Sequence, residues 1–152
     1  MECGGSTPLS IWVSARRLSV EAVHVHTDEL VRISKRAMER AYAPYSNFKV
    51  GAAVLGASGR VYSGCNVENA SYGLSVCAER TAIFKAVSEG EQEIRAIAIS
   101  SSSGKPAFPC GACRQVMAEF APSGENMQVY LVSDQGVETH TLADLLPHEF
   151  RL

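Results

Sequence analysis

Apolar positions follow two rhythms along this chain, one of helical spacing and one of strand spacing, and the two alternate. Leu30, Ile33, Ala37 and Ala41 recur at the spacing of one helix face. Thr27 or Asp28 can cap that helix, and it must stop before Pro44. The apolar runs at 50–55 and 61–65 flank the turn residues Ser58-Gly59 and predict a β-hairpin. The stretch "VCAERTAIFKAV", from Val76 to Val87, predicts a helix that buries Ala82, Ile83, Ala86 and Val87 and ends at Glu89-Gly90. "IRAIAIS" predicts a buried strand and "SSSGKPAF" a loop. A further helix is expected from Gly111 to Phe120, burying Val116, Met117 and Phe120. "MQVYLVS" and "VETHT" predict two final strands around a turn at residues 134–136.

The resulting order is α-β-β-α-β-α-β-β. Strand–helix–strand alternation in its middle favours parallel pairing, with helices packed on a mixed sheet. The expected class is α/β and layered. Residues 1–26 carry no clear periodicity and read as a mobile N-terminal tail, leaving one domain over 27–152.

Composition narrows the function. With 152 residues, 46% apolar and 20% charged, the chain suits one globular domain. A net charge of −2 offers no basic face for nucleic acid, so a small-molecule partner is favoured. No apolar run approaches the ~20 residues that cross a bilayer. The N-terminal stretch lacks the apolar core of a secretory signal, which points to the cytoplasm, with an organelle signal as the alternative. Five cysteines, an odd number, argue for reduced thiols rather than a disulfide framework.

Two of the predicted helices open on cysteines: Cys77-Ala78-Glu79 on one and "PCGAC", with Cys110 and Cys113, on the other. A C-x-x-C turn holds two thiolates at tetrahedral spacing, and a helix N-terminus favours the thiolate form. Cys77 offers a third sulfur. Three protein ligands leave a position open for water, as catalytic zinc sites do, and Glu79 beside that position is suited to moving a proton. Cys65 and the histidines remain candidates for a fourth ligand. Each element has an ordinary reading when taken singly: C-x-x-C as a redox pair, a lone helix cysteine as packing. Jointly, C-x-E followed about thirty residues later by P-C-x-x-C is the known signature of zinc-dependent base deaminases in its all-cysteine form.

"CAERTA", "PCGACRQV", "YAPYSNFKVGAAV" and "GCNVENASYG" together resemble the small homotetrameric cytidine deaminases with three cysteine ligands, over about residues 28–150. The resemblance implies a layered α/β/α fold with a mixed five-stranded sheet and helices on both faces. It implies one zinc ion per subunit on Cys77, Cys110 and Cys113, with Glu79 as proton shuttle. The implied reaction is hydrolytic deamination of cytidine and deoxycytidine to uridine and deoxyuridine plus ammonia, in pyrimidine salvage. Glu79 passes a proton to N3 and a second one to the departing amine.

The same resemblance implies roles around that centre. Arg80 would compensate the charge of three thiolates on a dication. Phe48 would pack on the base, Asn66 and Glu68 would hold the ribose 3′-hydroxyl, and Ala70, Tyr72 and Ala78 would complete the pocket. Tyr72 and the C-terminal aromatic Phe150 would reach an adjacent subunit, giving a homotetramer with shared active sites. This chain stops two residues after Phe150, a departure from the family pattern. The competing readings are a deaminase of another cytosine-containing substrate (a nucleoside antibiotic or a nucleic acid) and a zinc-stabilised interaction module. Glu79 counts against the last, since a structural zinc site has no use for an acid beside the metal.

Overall fold

The structure, a computed structural model, describes residues 26–122 and 126–151. A helix, α1 (residues 26–38), leads into β1 (Val50–Gly56) and β2 (Val61–Cys65), followed by a 3-10 turn at Tyr72–Leu74. Then come α2 (Ala78–Ser88), β3 (Ile94–Ser101), α3 (Gly111–Phe120), β4 (Gln128–Ser133), β5 (Gly136–Thr141) and the short α4 (Leu142–Leu145). The five strands form one sheet in the order β2-β1-β3-β4-β5. Among these five strands only the β3–β4 pairing is parallel, and α3 makes the crossover between those two strands. The expected mixed five-stranded sheet is therefore present.

Strand alternation divides the core between the two faces of the sheet. Ala52, Val54, Ile97, Ile99, Val129 and Leu131 pack against Ala82 and Ile83 of α2 and Met117 of α3. On the other face Ala53, Ala98, Tyr130 and Val132 pack against Leu30 of α1. Two glycines let these helices approach. A Cβ at Gly51 would lie 2.1 Å from the Ser34 carbonyl oxygen of α1, and one at Gly64 would lie 2.4 Å from the Ala82 nitrogen of α2. Gly64 therefore sets the depth at which α2, and everything at its first turn, sits on the sheet.

Three local expectations change. The first helix ends at residue 38, and Ala41 falls beyond it. The bonds Arg40 N to Ala37 O and Ala41 N to Met38 O close a tight turn, after which Tyr42 donates its N–H to Asn66 O and pairs with Val67. That long-range pairing overrides a helical pattern that would otherwise run on to Pro44. The helix also already includes residue 26, so Thr27 and Asp28 lie inside it rather than capping it. The proposed tail of residues 1–26 otherwise lies outside the described residues. α4 was not anticipated, although its signal was in the sequence: Thr141 and Asp144 form a reciprocal capping box, with Thr141 N–H donating to Asp144 Oδ2 at 2.9 Å.

Candidate active site

α2 and α3 start side by side on the same face of the sheet. Cys77 and Cys110 occupy their N-cap positions in extended backbone, and neither side chain is spent on a capping bond to a backbone N–H of its own helix. Cys113 follows in the first turn of α3 and is fully buried. The three sulfurs lie within 4.8 Å of one another, Cys77 Sγ to Cys110 Sγ being 4.0 Å and Cys110 Sγ to Cys113 Sγ 3.5 Å. Tetrahedral Zn–S bonds of ~2.3 Å place sulfurs about 3.8 Å apart, so the donor set fits one zinc ion with little movement. Free N–H groups at two helix starts add a favourable field for thiolates.

Among the described residues no fourth ligand joins this cluster. Cys65 stands apart, its thiol directed to the Arg40 carbonyl at 3.5 Å. His140 pairs with Glu138 and lies against the Phe108 ring, and His24 is outside the described residues. Among the described residues, the three sulfurs leave a fourth tetrahedral position without a protein ligand.

As thiols, Cys77 and Cys113 share one proton. Cys77 is drawn down to about 5, first by its hydrogen bond with Cys113 and then by Arg80. Cys113, which keeps the proton, is pushed up by that same bond and by burial. Arg80 Nη2 reaches Cys77 Sγ at 3.6 Å and the Ser75 carbonyl at 3.5 Å. Its Nε is buried without a partner among the described residues. The thiolate bond holds the Arg80 guanidinium above its ordinary range. A cation in the first turn of a helix opposes the dipole, and three nearby sulfurs supply the reason for one here.

Glu79 is 5% exposed. Burial pushes its carboxyl up, and the charge on Cys77 adds to the effect. It lines a cavity of about 200 Å³ together with Phe48, Asn66, Cys77, Ala78 and Cys110. Phe108 lines it too, a residue the sequence reading passed over because nothing in "KPAFPC" separates a cavity wall from a loop. A larger hollow of about 410 Å³ at the far end of α3 holds no thiol, so size alone does not locate the chemistry.

The remaining anticipated residues divide. Asn66 brackets Phe48, donating from Nδ2 to the Phe48 carbonyl and accepting the Val50 N–H at Oδ1, both at 2.8 Å. Glu68 and Tyr72 line a separate open hollow with Tyr45, Ser46 and Ser75. The Ser46 hydroxyl and the N–H groups of Tyr45 and Ser46 all donate to Glu68 and hold its carboxyl below the usual range. Ala70 is exposed and lines neither space, and Phe150 is 67% exposed and does not reach its own chain's cavity.

A family model described as the cytidine and deoxycytidylate deaminase zinc-binding region matches residues 25–128. The chain belongs to this family. Among deaminase relatives, the cytidine deaminase of Sporosarcina psychrophila is 50% identical over 124 residues, covering 81% of this chain and 90% of that protein. The cytidine deaminase of Halalkalibacterium halodurans is 52% identical over 122 residues, covering 80% of this chain and 91% of that protein. The crystal structure of cytidine deaminase from Burkholderia pseudomallei is 49% identical, with a TM-score of 0.75, and the match covers 81% of this chain and 98% of that one. The deaminase family's zinc matches the three-sulfur cluster found here.

Proposed function

We propose that this protein is a zinc-dependent hydrolase that deaminates cytidine and deoxycytidine to uridine and deoxyuridine with release of ammonia. One observation carries the reading: a buried carboxyl, Glu79, shares a small cavity with Cys77 and Cys110. Zinc held by Cys77, Cys110 and Cys113 supplies a Lewis acid that makes water more acidic in that cavity. Glu79 takes a proton from the attacking water and places it on N3 of the pyrimidine. It then carries the second proton to the 4-amino group, which leaves as ammonia. Burial suits Glu79 to this double duty, since it pushes the carboxyl up and makes it a better proton acceptor than an exposed carboxylate.

The cavity of about 200 Å³ is smaller than the ~300–1,000 Å³ of usual ligand pockets. It suits the base, with Phe48 as one wall and Ala78 as floor. The sugar extends toward the neighbouring hollow, where Glu68 is held ionised to accept the ribose 3′-hydroxyl. Asn66 serves that contact mainly by fixing Phe48 and the start of β1. Recognition at the 3′ rather than the 2′ position admits the deoxynucleoside, and free cytosine is a poor substrate because it forgoes the sugar contact to Glu68. Arg80 draws charge from the sulfurs, offsetting the −1 of three thiolates on a dication.

We also infer a homotetramer whose sites are shared, with Ala70, Tyr72 and Phe150 acting at neighbouring subunits. Tyr42, Tyr45, Tyr72, Leu74 and Phe150 are each at least 50% exposed, and the Tyr45 and Tyr72 rings meet edge to face, side chains that a subunit contact would cover. The cysteines at 65, 77, 110 and 113 are free thiols, which supports a reducing, cytoplasmic setting and a place in pyrimidine salvage.

The test is the loss of cytidine absorbance in the ultraviolet with zinc-loaded protein, run beside Glu79→Ala. Wild type turns over cytidine and deoxycytidine. Glu79→Ala keeps its zinc and loses at least ~10²-fold in rate, the scale of one acid–base group. A zinc-replete wild type inert toward both nucleosides removes the reading.

A further inference from the structure

Arg114 and Gln115 directly follow the last cysteine of "PCGACRQV", and the chemistry above gives them no task. Both reach away from the cluster. Arg114 Nε donates to the Pro109 carbonyl at 2.8 Å and Nη1 to the Leu145 carbonyl at 2.7 Å. Gln115 makes a paired contact, its Nε2 donating to the Phe150 carbonyl at 2.8 Å and its Oε1 accepting the Phe150 N–H at 3.4 Å. One side-chain amide thus satisfies both backbone groups of a single residue, as a neighbouring strand would. Two consecutive residues of α3 hold the C-terminal segment at two points, 145 and 150.

We propose that Gln115 is a positioning residue that fixes Phe150 as part of the substrate site of an adjacent copy of this chain. The inference rests on the shared-site reading given above. Its own support is the contrast at Phe150 between a pinned backbone and a free ring. Phe150 is 67% exposed and, among the described residues, lines neither the Glu79 cavity nor the Glu68 hollow of its own subunit, yet both its backbone groups are paired. Among the described residues, these two bonds are the only hydrogen bonds tying the stretch 147–151 to the rest of the protein; the Arg151–Glu149 pair is internal to it. An aromatic side chain on a backbone fixed in advance loses little further freedom on docking, which is what a contact site needs. The anchor sits on α3, whose N-cap is Cys110 and whose first turn carries Cys113. The helix that presents the metal ligands of one site therefore sets the reach of the aromatic serving the next.

Steady-state kinetics on cytidine test this with zinc-loaded wild type, Gln115→Ala, Phe150→Ala and the double variant, each with zinc content and sedimentation measured. Gln115→Ala should raise KM about tenfold with kcat within about twofold of wild type, on the scale of losing one well-placed interface aromatic. Phe150→Ala should do the same, and the double variant should be no worse than Phe150→Ala, because both remove one interaction. Zinc content and sedimentation should not change. The proposal is overturned if Gln115→Ala is silent while Phe150→Ala raises KM, or if the two effects multiply in the double variant. Dissociation of Gln115→Ala into monomers assigns the residue to assembly and also overturns it. A silent Phe150→Ala in an active enzyme instead brings down the shared-site reading, and this inference with it. Inert wild type brings down the deaminase reading itself.

Discussion

Gly64→Ala is a one-methyl change at a residue that does not line the Glu79 cavity, and it should damage both stability and turnover. The added Cβ would lie 2.4 Å from Ala82 N and 2.8 Å from Ala78 O, both backbone atoms of α2. Ordinary contact needs roughly 3.5 Å, so α2 must lift by about 1 Å, since no flexible side chain is there to yield. Overpacking of this kind typically costs about 1–3 kcal/mol. The displaced end of α2 carries Cys77 and Glu79, and a shift of ~1 Å at a catalytic group can cost about 10²-fold in rate. The assay is a thermal melt of the zinc-loaded protein together with kcat on cytidine. Gly73→Ala is the control for stability, because nothing lies within 4 Å of a Cβ there. The reasoning predicts a Tm lowered by several degrees and a kcat reduced at least tenfold for Gly64→Ala, against little change in Tm for Gly73→Ala. An unchanged Tm for Gly64→Ala would refute the claim that this glycine sets the depth of α2. A lowered Tm with unchanged kcat would refute the link from helix depth to catalysis.

Two further expectations follow from side chains around that frame. Arg80→Gln should lower kcat by about tenfold or more while zinc remains bound, since the variant loses the cation 3.6 Å from Cys77 Sγ; unchanged turnover and unchanged zinc affinity would remove the charge-compensation argument. Glu91 supplies the pH dependence. Ser58 first, and also the Tyr62 hydroxyl, donate to its carboxylate and hold it below its usual 4.5, so the stability it contributes is present above about that pH and is lost as pH falls through the lowered folded value. Glu91→Gln should therefore melt earlier than wild type at neutral pH, and the gap should close in acid; a gap that stays constant with pH would count against the assignment.

Legibility from the sequence followed the range of the forces involved. Strands and helices set by local periodicity came through, and the helix expected from about Gly111 to Phe120 is present, with Met117 buried and Val116 and Phe120 only half-buried. The parallel β3–β4 pair followed from a strand–helix–strand order that leaves few topologies open. The zinc cluster was legible because each cysteine sits at a helix start, where local chemistry announces itself. What stayed hidden depends on contacts between distant segments. The early end of α1 is decided by Tyr42 pairing with Val67, 25 positions along the chain. Asn66 and Glu68 look like one substrate-binding pair at i, i+2 spacing. In the fold Asn66 bonds the Phe48 and Val50 backbone while Glu68 bonds the 45–46 turn, partners that the spacing alone does not announce. Gly51 and Gly64 stood inside quoted motifs with no task assigned, because close approach is a property of two segments and not of one. The motif residues that bind chemistry could be read jointly from their spacing along the chain, whereas those that hold the site together acquire meaning only from a partner in space. Gln115 is of the second kind, with its partner 35 residues downstream.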